Sequence, residues 1–188
     1  MKIVKQTFCG LACALVLTLG TGAHAGLATF DNPSVVTIDP ITNVATYIEG
    51  GLRFSGDATS YLPLDTIGSG GSPGLFVFAN SPLSLTADGG GLFDLTSVDY
   101  GQDPFDLLSG TLLVHGILDG GGFLDQTLVL GNLSKFPFQG WTSLKEVTFL
   151  ADANFVLDNV NVPEPASLAL VGVALAGLVV TRRRKTRA

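Results

Sequence analysis

Between residues 26 and 162, apolar residues alternate with polar ones instead of recurring every three or four positions. Clusters of Gly, Asp, Asn, Pro and Ser interrupt this pattern at intervals of about eight to twelve residues. Such a pattern is typical of short antiparallel strands, and no segment before Pro163 has the spacing of a long amphipathic helix. The sequence therefore predicts an all-β fold, an antiparallel β-sandwich of two sheets with the jelly roll as the preferred arrangement.

The predicted strands follow the apolar alternation. They cover 29–30, 44–48, 51–54, 75–79, 83–86, 93–100, 111–118, 124–130, 146–150 and 154–162. The segment 111–118 has apolar residues on both faces, because Leu112 and Val114 point to one side and Leu113 and Ile117 to the other. A strand of this composition is expected in the interior of a sheet.

One short sequence occurs twice in this domain. Residues 88–94 read Asp-Gly-Gly-Gly, two apolar residues and Asp, and residues 119–125 repeat that order. Each copy is predicted to be a turn between strands that requires positive φ angles. The alternative is a Ca²⁺ loop of Asp oxygens and backbone carbonyls, although the spacing matches neither an EF-hand nor the glycine-rich nonapeptide repeat.

The C-terminal segment has three parts that do not belong to the sandwich. Pro163, Glu164 and Pro165 form an extended break, and residues 166–180 form an uncharged run that reaches roughly 22 Å as a helix. A basic tail, 182–188, then contains Arg182, Arg183, Arg184, Lys185 and Arg187. The order predicts a single, short transmembrane helix with the tail in the cytoplasm and the preceding domain outside.

These three parts resemble the PEP-CTERM sorting signal of exported bacterial proteins. The resemblance covers residues 163–188 and implies recognition by an exosortase, removal of the tail and delivery to the cell surface or extracellular matrix in bacteria that make exopolysaccharide. Anchoring in the inner membrane would then be transient. The alternative is an ordinary single-span anchor that is never cut.

The N-terminal segment also indicates export. Lys2 and Lys5 precede an apolar run at 8–19, and Ala23 and Ala25 mark a cleavage site, so residues 1–25 read as a signal peptide for the Sec machinery and signal peptidase. Both cysteines, Cys9 and Cys13, lie inside it, so the exported chain is expected to fold without disulfides.

The charge of the segment between the two targeting signals excludes some partners. Residues 26–162 hold three cations, Arg53, Lys135 and Lys145, against 15 Asp and Glu, a net charge of −12. So acidic a domain repels nucleic acid and anionic lipid, and no nucleic-acid partner is expected. The acidity suits either solubility or divalent cations.

The order of segments resembles the jelly-roll carbohydrate-binding modules often found ahead of PEP-CTERM tails. The resemblance rests on residues 93–98, 112–118, 140–149 and 155–160, the last reading Phe-Val-Leu-Asp-Asn-Val. It implies a structural Ca²⁺ beside Asp158, with Asp31 as its partner in the first strand. No other cofactor is expected.

Few side chains in residues 26–162 suit a catalytic role. The one histidine in this segment, His115, lies in an apolar strand and reads as a core or edge residue, and without cysteine there is no thiol nucleophile. A carboxylate pair could still form a glycosidase, although Glu49, Glu146 and the aspartates single out no pair. Among the aromatic residues, Trp141 is the best candidate for a sugar platform, with burial in the core as the alternative.

The sequence thus predicts an exported, non-enzymatic surface or matrix protein that associates with exopolysaccharide. Two alternatives stay open. One is a small hydrolase of matrix polysaccharide that uses a carboxylate pair. The other is a purely structural protein that self-associates.

Overall fold

The computed structural model describes residues 26–31, 36–64, 72–105 and 109–163. These residues form thirteen strands: β1 (Gly26–Ala28), β2 (Thr37–Asp39), β3 (Val44–Glu49), β4 (Leu52–Asp57), β5 (Tyr61–Leu64), β6 (Gly74–Val77), β7 (Leu83–Ala87), β8 (Ser97–Gln102), β9 (Thr111–Leu118), β10 (Phe123–Val129), β11 (Ser134–Pro137), β12 (Leu144–Ala151) and β13 (Phe155–Val162). No helix occurs in these ranges. Nor do they contain a helical segment that could span a bilayer.

The strands form two antiparallel sheets. The six-stranded sheet has the order β11-β8-β13-β6-β5, with β1 also paired to β13, and the seven-stranded sheet has the order β10-β9-β12-β7-β4-β3-β2. The chain passes repeatedly from one sheet to the other, and one buried apolar cluster receives side chains from both. The predicted all-β antiparallel sandwich is confirmed.

The core follows from the alternation of side chains along each strand. In β9, Leu112, Val114 and Gly116 point into the sandwich, while Leu113 and Ile117 lie on the outer face. The prediction that this strand is interior is confirmed, because β9 lies between β10 and β12. Its second apolar face, however, is partly open to solvent.

The first strand ends earlier than the sequence predicts. The Glu49 carboxylate accepts hydrogen bonds from the backbone N–H groups of Thr29 at 2.9 Å and Phe30 at 2.8 Å. These two N–H groups are thus bound to a side chain rather than to a neighbouring strand, and Phe30 has a φ of 58°. The predicted strand at 29–30 is therefore replaced by β1, which ends at Ala28.

Three strands are absent from the predicted set. They are β2, β5 and β11, and each is the last strand at one end of a sheet. β2 has only three residues, while β5 and β11 contain Pro63 and Pro137. Proline is tolerated in a strand mainly at a sheet edge, where the missing N–H faces outward, so these segments resemble loops in the sequence.

The two Asp-Gly-Gly-Gly segments are turns, as predicted. Gly89, Gly90 and Gly121 have φ angles of 93°, 81° and 82°. The second copy closes the β9–β10 hairpin. The first follows β7 and leads to Phe93, which forms an isolated bridge with Leu144 before β8 begins. The predicted strand at 93–100 therefore starts later, at Ser97.

Candidate ligand-binding face

The β9–β10 hairpin places a hydrogen-bonded histidine–aspartate pair and an aromatic ring on the outer face of the seven-stranded sheet. Its register puts Asp125 opposite His115, and the Asp125 Oδ1 lies 2.6 Å from the His115 Nδ1. The Phe123 ring lies two residues away with its centroid 5.6 Å from that of the imidazole, inclined by 31°. Phe123 is 66% exposed, so an apolar ring and a carboxylate are presented together.

Polar side chains continue from this pair across the whole sheet. The strand registers align one residue from each of the seven strands, and none of the seven is buried: Asp125, His115, Thr148, Ser84, Ser55, Thr46 and Thr37. We call this set the polar row. At about 4.8 Å between strands, it extends roughly 29 Å.

Apolar side chains flank the polar row where it crosses β9, β10 and β12. Ile117 lies opposite Phe123 on one side, and Leu113 lies opposite Leu150 on the other. All four are exposed. Such a surface combines hydrogen-bonding groups with apolar contact area, which is the composition that binding sites for sugars and other small molecules use.

The glutamate nearest to the polar row is held by a neighbouring hydroxyl. Glu146 lies opposite Ile117 on β12, and its Oε1 accepts a hydrogen bond of 2.6 Å from the Ser84 hydroxyl. The other glutamate, Glu49, accepts bonds from Thr29, Phe30 and the Tyr47 hydroxyl, at the end of β3. The two glutamates therefore have separate structural partners.

The first aspartates of both glycine-rich turns form ion pairs. Asp88 Oδ1 lies 2.7 Å from the Arg53 guanidinium, and Asp119 Oδ1 lies 3.0 Å from the Lys145 ammonium. These carboxylates have cationic side chains as partners, which is the interaction expected of solvated turn residues.

The aspartate predicted to bind Ca²⁺ lies on the other sheet. Asp158 is only 1% exposed, and its carboxylate accepts hydrogen bonds from the Ser72 hydroxyl and the Asn159 N–H. Asp99 lies opposite it on β8 and accepts a bond of 3.0 Å from the Asn159 amide. Within the described ranges, Asp99 Oδ1 is buried without a hydrogen-bond partner.

Asp31 lies just beyond β1, and its carboxylate accepts a hydrogen bond of 2.6 Å from the Thr29 hydroxyl. The residue is exposed. In the described part of the chain, no group of three or more His, Cys, Asp or Glu side chains is arranged to hold a metal ion. The pairing of Asp31 with Asp158 stays a prediction.

Trp141 belongs to the core, which was the alternative to its candidate role as an exposed sugar platform. The residue is 6% exposed, and its ring centroid lies 4.6 Å from that of Phe138. A Cβ at position 116 would lie 2.9 Å from the Trp141 Cζ3, so glycine there leaves room for the indole. The burial follows because Trp141 packs beneath β9 rather than above it.

Three aspartates at turns and strand ends have carboxyl groups whose pKa is lowered by local hydrogen bonds. The Thr111 N–H donates to Asp152 at 2.6 Å and lowers the pKa of that carboxyl. The pKa of Asp39 is lowered by the Ile41 N–H, and that of Asp57 by the Thr59 hydroxyl. In each case the hydrogen bonds favour the ionised carboxylate. These aspartates therefore support folding at neutral pH, and their contribution is lost as the pH falls through the lowered pKa.

The site that the sequence missed is the His115, Asp125 and Phe123 group. The His115–Asp125 pair could have been predicted by counting outward from the hairpin turn, because a turn at 119–122 places residue 115 opposite residue 125. The rest of the polar row depends on registers between strands that are distant in sequence.

Comparison with known proteins identifies a sorting motif near the C-terminal end of the sequence. The model of the PEP-CTERM protein-sorting motif matches residues 161–185. No curated protein matches the chain. The predicted Glu164, Pro165, membrane span 166–180 and basic tail 182–188, like Ala23 and Ala25 of the signal peptide 1–25, lie outside the described residues.

Solved structures similar to the chain are β-rich proteins with low sequence identity. TmCBM61, solved in complex with β-1,4-galactotriose, is 8% identical with a TM-score of 0.41 over 61% of this chain and 88% of that one. The CBM22-1 xylan-binding domain of Paenibacillus barcinonensis Xyn10C is 12% identical with a TM-score of 0.45, over 77% and 100%. An exo-β-agarase is 10% identical with a TM-score of 0.47, over 75% and 25%.

The match at 161–185 agrees with the Pro-Glu-Pro triplet, the apolar run and the basic residues that follow one another in the sequence. The chain carries a PEP-CTERM protein-sorting motif, which implies an exosortase-processed surface protein.

Proposed function

We propose that this exported protein is a non-catalytic component of the cell surface or extracellular matrix whose β-sandwich binds exopolysaccharide along the polar row. The observation that carries the proposal is the alignment of seven polar side chains across seven strands, with exposed Phe123 at one side. The Sec machinery, signal peptidase and exosortase are the proposed export partners, with a transient stay in the inner membrane.

The chemistry of the polar row suits a chain of sugar units. Hydroxyl side chains donate and accept hydrogen bonds, as do sugar hydroxyls, and a carboxylate such as that of Asp125 can accept bonds from the hydroxyls of a bound sugar. Phe123 offers an apolar surface for the C–H face of a pyranose ring. A length of roughly 29 Å accommodates several units of an extended polymer.

The net charge of −12 over residues 26–162 narrows the class of polymer. A polyanion would be repelled by this domain, whereas a neutral polysaccharide would not. Neutral exopolysaccharide is therefore the proposed ligand.

We also propose a structural Ca²⁺ at Asp158, which is supported by the burial of that residue and by Asp99 on the neighbouring strand, whose Oδ1 is buried without a hydrogen-bond partner among the described residues. Carboxylate oxygens are the ligands that Ca²⁺ prefers. The role would be to stabilise the six-stranded sheet. A Ca²⁺-dependent rise in Tm that is lost in Asp158→Asn supports this site, and a rise that survives the substitution contradicts it.

The test of glycan binding is a titration of the full chain, in detergent, with neutral and acidic polysaccharides from the native host. Phe123→Ala is expected to weaken binding to the neutral polymer about tenfold through loss of ring stacking. Phe105→Ala is the matched control, because Phe105 is 86% exposed and is not one of the polar-row or flanking residues.

Equal losses in the two variants, or no saturable binding by the wild type, would contradict the proposal. The release of reducing ends from the bound polymer is measured in the same samples. Release that disappears in Asp125→Asn would support the hydrolase alternative instead.

A further inference from the structure

Strand β10 is an unusually open sheet edge. It has seven residues, and among the described residues its only strand partner is β9. The register with β9 is continuous from Phe123 to Val129, without a bulge. A long, regular edge strand presents unpaired N–H and C=O groups that can pair with another chain.

The other sheet ends carry the features that oppose such pairing. β11 contains Lys135 and Pro137, β5 contains Pro63, and β2 has only three residues. Proline, lysine and short length each discourage edge-to-edge contact. β10, with the sequence Phe-Leu-Asp-Gln-Thr-Leu-Val, has none of these features.

The hydrogen-bond pattern identifies which backbone groups of β10 face outward. Leu118 N–H donates to the Gly122 carbonyl at 2.9 Å, and Leu130 N–H donates to the Gly110 carbonyl at 2.8 Å. Since hydrogen-bonded pairs alternate in an antiparallel ladder, the even-numbered residues of β10 bond to β9. The N–H and C=O groups of Phe123, Asp125, Thr127 and Val129 therefore point away from the sheet.

We propose that a second copy of this chain pairs antiparallel with β10 about a two-fold axis at Gln126. This register places Phe123 opposite Val129 of the second copy, and Asp125 opposite its Thr127. All four outward-facing residues then form hydrogen-bonded pairs, and the two seven-stranded sheets become one continuous sheet.

The side chains of β10 suit this register. Phe123 and Val129 are 66% and 72% exposed, and they would cover one another at both ends of the paired strands. The negative Asp125 would face a threonine rather than the second Asp125, so no like charges stand directly opposite each other. The net charge of −12 on residues 26–162 of each copy opposes the pairing at long range. The dimer is therefore expected to be tighter at physiological salt than at low salt, because salt screens this repulsion. The Gln126 amide donates to the Thr127 carbonyl at 3.0 Å and would release it on pairing.

The consequence for function is a joined binding surface. The outer faces of the two sheets would be continuous, and the two polar rows would lie on the same face, offset from one another by two residues along the paired strands. This pairing does not depend on glycan binding, so a failure of either proposal leaves the other intact.

A single cysteine on the axis tests the register. Opposing residues in a non-hydrogen-bonded pair have Cα atoms about 4.5 Å apart, a distance that a disulfide spans. Gln126→Cys, in the full chain with Cys9→Ser and Cys13→Ser, is expected to form an interchain disulfide on mild oxidation. Leu124→Cys is the control, because its two copies would lie roughly 13 Å apart along the strand. Equal crosslinking at the two positions, or none at Gln126, would overturn the proposal.

A substitution that blocks the edge tests the pairing itself. Thr127→Pro removes an outward N–H and leaves the bonds to β9 intact, so it is expected to raise the dimer dissociation constant at least tenfold in analytical ultracentrifugation in detergent. Thr127→Asp serves the same purpose if the proline variant fails to fold, because it would place a second negative charge directly opposite Asp125 of the other copy. A dissociation constant that stays unchanged in a folded variant would contradict the proposal.

Discussion

The two Asp-Gly-Gly-Gly segments have nearly the same sequence, yet their phenylalanines have opposite environments. Each begins with an aspartate in an ion pair, Asp88 with Arg53 and Asp119 with Lys145. Phe93 is 2% exposed in the first segment, whereas Phe123 is 66% exposed in the second.

The order of the two apolar residues after the glycines accounts for part of this difference. The first segment reads Leu-Phe and the second reads Phe-Leu. Because successive side chains of a strand point to opposite faces, the exchange moves the ring from one face to the other. A turn sequence thus specifies local geometry, but the adjacent residue order and the strand partner decide which side chain enters the core and which is exposed on the surface.

The largest expected contrast is between the two phenylalanines. Phe93→Ala should lower the free energy of unfolding by about 3–5 kcal/mol, because it removes a buried ring and leaves a cavity. Phe123→Ala should change it by less than about 0.5 kcal/mol, as expected for an exposed residue. Urea titration followed by the fluorescence of Trp141, the only tryptophan, measures both. Similar losses in the two variants would show that the burial assigned to the two rings is wrong.

A smaller contrast is expected within the second turn. Gly121 has a φ of 82°, so Gly121→Ala should cost about 1 kcal/mol because a Cβ is strained in that conformation. Gly120 has a φ outside the left-handed range and open space around its Cα, so Gly120→Ala should cost less than that. Thermal unfolding of both variants provides the comparison, and a costlier Gly120→Ala would reverse the assignment of the turn.

The smallest effect on stability is expected from removing the surface ion pair that each segment forms. Arg53→Ala and Lys145→Ala should each cost about 0–1 kcal/mol, because both ion pairs lie on the surface. The cost should decrease further in concentrated salt, which screens exposed charges. Urea titrations at two salt concentrations test this, and a large, salt-independent loss in only one variant would show that the turns are not equivalent.

Sequence patterns predicted much of the fold and little of the site. The alternation of apolar residues located β3, β4, β9, β12 and β13 closely, because their buried faces are regular. It missed the proline-containing edges β5 and β11, whose local sequence resembles a loop. It left Trp141 open between a sugar platform and the core, because no pattern near that residue reveals that glycine at 116 leaves room for the indole.

The sequence by itself determined the class of fold, the positions of the glycine turns and the PEP-CTERM sorting motif, because each depends on residues close together in the chain. Only the tertiary structure decided which residues share a surface. His115 gained Asp125 as a partner through a hairpin register, and Ser84, Ser55 and Thr46 joined the same row through pairings between distant strands. These registers are set by the burial of the opposite face of the sheet, which is a property of the packed sandwich rather than of any single segment.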